Sequence, residues 1–155
     1  LASEYKEVKK LVLAAPAFRY FSFKNNKVDI TIFNETLKNI KNILNEQNTE
    51  QVLSKIFKTP LPTIIEFTKL VNHCQNCVKN ITCETLTIHG TKDFIVPTEG
   101  TEYVYNNIKS KTNILINIKD VKHECFTTHK NEEVKHIVKE FLIKKNQEKK
   151  EIIDI

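Results

Sequence analysis

The stretch Leu86-Thr-Ile-His-Gly-Thr-Lys-Asp-Phe-Ile-Val-Pro97 decides how this chain is read. Its first half belongs to the run Glu84–His89, ended by Gly90, which has the length and composition of a strand buried on both faces. The strand runs into a loop that carries Asp93. Working outward, Asn113–Ile118 (NILINI) and Lys9–Ala15 (KKLVLAA) are two further runs of the same kind. Between the second and third runs in chain order lies a helical pattern from about Thr98 to Lys109, with Glu99 and Glu102 in its early turns. Another follows from about Asn131, read as its cap, to Lys145, with Val134, Ile137, Val138, Phe141 and Leu142 as the apolar stripe. Strand, helix, strand, helix predicts an α/β fold with a parallel sheet and flanking helices.

The long stretch Phe18–Cys83 interrupts that order and exceeds a normal crossover. It reads as mostly helical, at about Asn34–Asn45, Thr49–Phe57 and Leu61–Lys79, with Pro60 and Pro62 breaking the second helix from the third. After Lys144 the chain is rich in charge and reads as a frayed tail, residues 148–155.

Composition excludes several functions. Only two glycines are present, Gly90 and Gly100, so no glycine-rich phosphate loop can be written. The net charge is +5, from 24 basic and 19 acidic residues, and it reads as solvated lysine on helix faces. Arg19 is the only arginine, which leaves almost no material for bidentate reading of bases or phosphates, so no nucleic-acid partner is expected. No apolar run approaches the ~18 residues of a spanning helix, so no stable membrane insertion is expected. Cys74, Cys77, Cys83 and Cys125 lack the second C-x-x-C pair of a structural zinc site. They read as free thiols suited to a reducing cytoplasm, and no metal is expected. The chain opens on Leu1 and has no Met, which reads either as removal of an upstream segment or as a piece of a longer chain.

Two loops carry candidate chemistry. One holds Asp93, after the strand ending at Gly90; the other holds His123-Glu124, after the strand Asn113–Ile118. Ligands in open α/β sheets bind beyond the carboxyl ends of the strands. Loops after neighbouring strands can bring Asp93 and His123 together. A carboxylate accepting from His Nδ1–H fixes the tautomer and leaves Nε2 as a base.

The run IHGTKDFIVP, then VYNNIKSK, then the HE pair before a last helix holding EFL, resembles the C-terminal part of an α/β-hydrolase, nearest to the carboxylesterase and monoacylglycerol-lipase-like group. The opening LASEYKEVKKLVLAAPAF resembles the segment after that family's nucleophile elbow. The resemblance implies Asp93 as triad acid and His123 as triad base of a serine hydrolase acting on carboxylic esters. It implies a hydrolase core over residues 1–17 and 84–147, with residues 18–83 as a helical cap over an acyl pocket. It also implies an ester substrate with an apolar acyl group and no cofactor. Phe18, His89 and Val96 are the candidate substrate-binding residues, and Phe18 heads an aromatic cluster with Tyr20, Phe21 and Phe23.

The sequence departs from the family pattern at the nucleophile. No G-x-S-x-G occurs, and Ser3 and Ser22 lack the flanking glycines that a strained elbow needs. The serine is expected about ten to fifteen residues before Leu1, by the usual length of the helix after an elbow. Cys125 is too near His123 in sequence to face it usefully. The alternative reading is a non-catalytic interaction module, or a split fold whose partner supplies the serine. In that case the apolar strand Lys9–Ala15 is an open edge, and self-association as a homodimer through it is expected.

Overall fold

Four runs of β-forming residues assemble into one parallel sheet. In the computed structural model, which describes residues 1–18, 22–24, 27–29, 60–93, 96, 98–145 and 147–155, these are β1 (Lys10–Ala14), β4 (Glu84–Gly90), β5 (Asn113–Ile118) and β6 (Lys150–Asp154). They lie in the order β1-β4-β5-β6. Every neighbouring pair is parallel, with Val12 beside Leu86, Leu86 beside Ile114 and Ile114 beside Glu151. Between β1 and β4 in sequence come the short antiparallel strands β2 (Ser22–Lys24) and β3 (Lys27–Asp29), then helix α1 (Leu61–Val78). Helix α2 (Thr98–Asn107) joins β4 to β5, and α3 (Asn131–Ile143) joins β5 to β6. The helices expected at 34–45 and 49–57 lie outside the described residues.

The two faces of the sheet are built differently. Successive strand side chains alternate in direction. Leu86, Ile88, Ile114, Ile116 and Ile118 form one core cluster with Val134 and Phe141 of α3. On the opposite face Leu11 and Leu13 pack on a second cluster, where Val78 of α1 and Ile81 meet Val104 of α2 and Ile108. That second face also buries polar groups, namely Thr85, Thr87 and His89 of β4 and Asn113 of β5. Asn113 Nδ2 donates to Tyr105 O at 2.7 Å, and Thr85 Oγ1 donates to Cys83 O at 3.0 Å. A buried polar side chain needs such a partner, because losing water without one is costly.

Three expectations are corrected. Residues 148–155 are not a frayed charged tail: Lys150–Asp154 is a strand against β5, and Ile153 and Ile155 pack on the first core cluster. Alternation decides it, since Ile153 and Ile155 reach the core while Lys150, Ile152 and Asp154 stay on the other face. Asn131 does not cap the last helix. Lys130 occupies the cap position with no side-chain bond, and Thr128 Oγ1 accepts its N–H at 3.1 Å. Strand β1 is half-buried along most of its length and exposed at Ala14, because β4 is its only neighbour among the described strands.

Candidate active site

The site begins with a glycine at the end of β4. A Cβ on Gly90 would lie 2.3 Å from the carbonyl oxygens of both Val121 and Lys122, a distance that side-chain carbons do not tolerate. Gly90 therefore lets the loop after β5 close onto the end of β4. The closure is stitched by Thr91 N–H to Ile118 O and Lys92 N–H to Val121 O, both at 2.9 Å. Thr91 Oγ1 accepts from Asp120 N–H at 3.0 Å, and Lys92 pairs with Asp120 at 2.8 Å. Asp120 turns the chain with a left-handed φ of 59°. An Asp tolerates that region better than most residues.

This closure sets Asp93 beside His123, 30 residues apart. Asp93 Oδ2 accepts from His123 Nδ1 at 2.8 Å. The other oxygen, Oδ1, accepts from Val96 N–H at 3.0 Å. Asp93's own N–H donates to Gly90 O at 3.0 Å. The carboxylate is fully covered while the imidazole is 37% exposed, so the carboxylate is held inside and the ring faces out. The bond to Asp93 raises the His123 pKa above the usual histidine value, against an opposing effect of burial. With Nδ1 engaged, Nε2 is the ring nitrogen left for a proton on the outside.

The other candidates differ in how they relate to this pair. Val96 is buried, and it reaches Asp93 through its backbone N–H. His89 is 1% exposed, with Nδ1 at 2.8 Å from Thr101 Oγ1 on α2. Its Nε2 is buried, with no hydrogen-bond partner among the described residues. Burial pushes its pKa down, with Asp93 pulling it up and His123 adding to the depression, so His89 is held neutral near pH 7. His89 lines a cavity of about 310 Å³ between α2 and the β5–β6 face, with Tyr105, Leu115 and Ile152. Neither Asp93 nor His123 lines that cavity. Phe18 packs on the α1–α2 cluster, and its carbonyl accepts from Gln75 Nε2.

Cys125 is 2% exposed, and its Sγ contacts His123 O at 3.7 Å. Burial raises its thiol pKa, so it is a neutral packing group and a poor nucleophile. Glu124 is exposed and accepts from Thr127 Oγ1 at 2.8 Å, which braces the loop after His123. His73 Nε2 and Cys77 Sγ stand 3.6 Å apart on α1, and among the described residues no group of three His, Cys, Asp or Glu is placed to hold a metal ion. No described helix is long and apolar enough to cross a membrane.

Sequence reading did not single out two residues that matter here. Gly90 is visible as a strand end, but the carbonyls it faces belong to Val121 and Lys122, far along the chain in another loop. Thr101 as partner of His89 leaves no local signal at all.

A parallel sheet with flanking helices, carrying a carboxylate and a histidine in contact beyond two adjacent strands, is the later part of an α/β-hydrolase fold. A family model described as serine aminopeptidase, S33 matches residues 1–130. The chain belongs to that α/β-hydrolase family. The fold is similar to the crystal structure of Paleococcus ferrophilus monoacylglycerol lipase, with a TM-score of 0.56 at 16% identity. That likeness covers 91% of this chain and 61% of the lipase chain. Among curated proteins no sequence matches this chain. The family match ends before α3 and β6, so both lie beyond it.

Proposed function

We propose that this chain is the later part of a serine hydrolase that cleaves carboxylic esters, with Asp93 as triad acid and His123 as triad base. The observation that carries the reading is the 2.8 Å contact from His123 Nδ1 to a fully covered Asp93 carboxylate. In this reading a serine outside these 155 residues attacks the ester carbonyl carbon. His123 Nε2 takes the serine proton as the tetrahedral intermediate forms, and Asp93 holds the ring and stabilises the imidazolium. The C–O bond to the alcohol then breaks, and His123 returns the proton to the departing oxygen. Water attacks the acyl-enzyme by the same base, which releases the acid and frees the serine. The mechanism needs no metal or organic cofactor.

Residues 18–83 are assigned to a cap, and Phe18 with Val96 to the apolar side of the acyl pocket. His89 is assigned to substrate contact from the cavity it lines. Four free thiols fit a reducing, cytoplasmic setting. A second reading has one observation behind it: the family description names an aminopeptidase, so an aminoacyl amide is the competing substrate.

The test uses the full-length protein and a fluorophosphonate probe, which labels a serine only when its base is in place. Wild type should label, and His123→Ala should lose labelling while keeping its fold by circular dichroism. Equal labelling of both would overturn the assignment of His123. Turnover of short-chain and medium-chain aryl esters, set against aminoacyl anilides, separates the ester reading from the amide reading.

A further inference from the structure

We propose that strand β6 is a homodimerisation edge, on which a second copy of this chain pairs antiparallel about a two-fold axis at Ile152. The main chain of β6 is directed for it. Lys149 O accepts from Asn113 N–H at 2.8 Å. Ile155 N–H donates to Asn117 O at 3.0 Å, and Ile155 O accepts from Lys119 N–H at 2.7 Å. Residues two apart in a strand aim their backbone groups the same way. The odd-numbered residues of β6 therefore bond β5, and the N–H and C=O of Lys150, Ile152 and Asp154 point away from it. No described strand lies on that side.

The sequence Lys150-Glu-Ile-Ile-Asp154 is self-complementary in one register. Centring the pair on Ile152 sets Lys150 opposite the partner's Asp154, Ile152 opposite the partner's Ile152, and Asp154 opposite the partner's Lys150. All of these are outward-facing positions, so each pair exchanges two backbone hydrogen bonds. A slip by two residues in either direction loses one such pair and sets a charge against isoleucine. Opposite charges directly across two strands stabilise a pairing, and like charges weaken it.

The side chains suit the same arrangement. Ile152 is 56% exposed beside Leu115 and Tyr105, a large apolar group that a second Ile152 would cover. Lys150 and Asp154 are exposed. Asp154 Oδ1 accepts from Asn117 Nδ2 at 3.0 Å, which holds the carboxylate and leaves its second oxygen for the partner's Lys150. Charges on an edge normally discourage indiscriminate strand pairing. Here they discourage every register but one. Strand β1 has no such pattern, and its Lys10 is engaged with Phe141 O at 2.7 Å and Glu84 at 3.5 Å.

Sedimentation velocity on the full-length protein tests this, with circular dichroism to show that each variant keeps its fold. Wild type should show a reversible, concentration-dependent dimer. Asp154→Lys puts lysine against lysine twice and should weaken the dimer by about tenfold or more. The reversed pair Lys150→Asp with Asp154→Lys should restore it to within about threefold. A wild type that stays monomeric at its highest soluble concentration overturns the proposal. So does a dimer that neither variant changes, which would place the contact elsewhere, or a reversed pair that fails to recover. The readout is mass, so it is independent of any ester chemistry.

Discussion

The Cα of Gly90 faces the carbonyls of Val121 and Lys122 so closely that a single added methyl would sit 2.3 Å from two oxygens. That contact is the hinge of the site, because it fixes how near the loop holding His123 comes to the loop holding Asp93. Gly90→Ala should push the two loops apart. Overpacking of this kind costs ~1–3 kcal/mol. We expect a fall in stability of that size by urea unfolding, together with loss of the raised His123 pKa by NMR. An alanine variant with unchanged unfolding and titration would show that the loops do not depend on this contact.

Asp93→Asn keeps the shape but removes the charge that His123 leans on. In triads of this kind the change lowers turnover by ~10⁴-fold, because the imidazole loses its tautomer control. The His123 pKa, raised mainly by its bond to Asp93, should fall back toward 6.5. The Cε1 proton of His123 followed by NMR across pH reads this directly. An unshifted titration would remove Asp93 from its assigned role.

The two histidines give stability opposite dependences on pH. The folded pKa of His123 is raised, so its contribution is fully present below 6.5 and is lost as pH rises through the folded value. The folded pKa of His89 is lowered, so below 6.5 the unfolded chain takes up a proton that the folded chain refuses. Stability should therefore fall with rising pH just above 6.5 through His123, and with falling pH just below 6.5 through His89. Urea midpoints measured across that range, in wild type and in Asp93→Asn, should lose only the upper dependence in the variant. A flat profile in wild type would contradict both shifts.

Thr101 and His89 form a buried pair at 2.8 Å, and His89 Nε2 has no partner among the described residues. Thr101→Val leaves Nδ1 unsatisfied as well and should cost ~1–3 kcal/mol. Adding His89→Leu should recover part of that loss, because the stranded polar group is gone. A double-mutant cycle on urea unfolding measures the coupling. Strict additivity would mean that the pair contributes nothing.

Most of the sheet was legible in the sequence, for a physical reason. Asn113–Ile118 and Glu84–His89 are apolar or β-branched runs stopped by loop residues, and the observed strands Asn113–Ile118 and Glu84–Gly90 match them closely. Pro60 and Pro62 marked the start of α1. Strand β6 was missed because lysine and glutamate hid a short alternation whose inward positions, Ile153 and Ile155, gain a core only once β5 is beside them. Strands β2 and β3 have three residues each, too few to show a period. The contact between Asp93 and His123 was readable because adjacent parallel strands deliver consecutive loops to one end of the sheet. The pairing of His89 with Thr101 and the clash that reserves Gly90 depend on how helices and loops pack, which no local pattern carries.

His123, ordered by Asp93, is proposed as the base of a hydrolytic triad. The most direct test is kcat/KM for an aryl ester in the full-length protein, wild type against His123→Ala. A loss of ~10³-fold or more is expected, with the fold retained, since the triad acts as one unit. Turnover within about threefold of wild type would contradict it, because removing a true general base costs at least ~10²-fold.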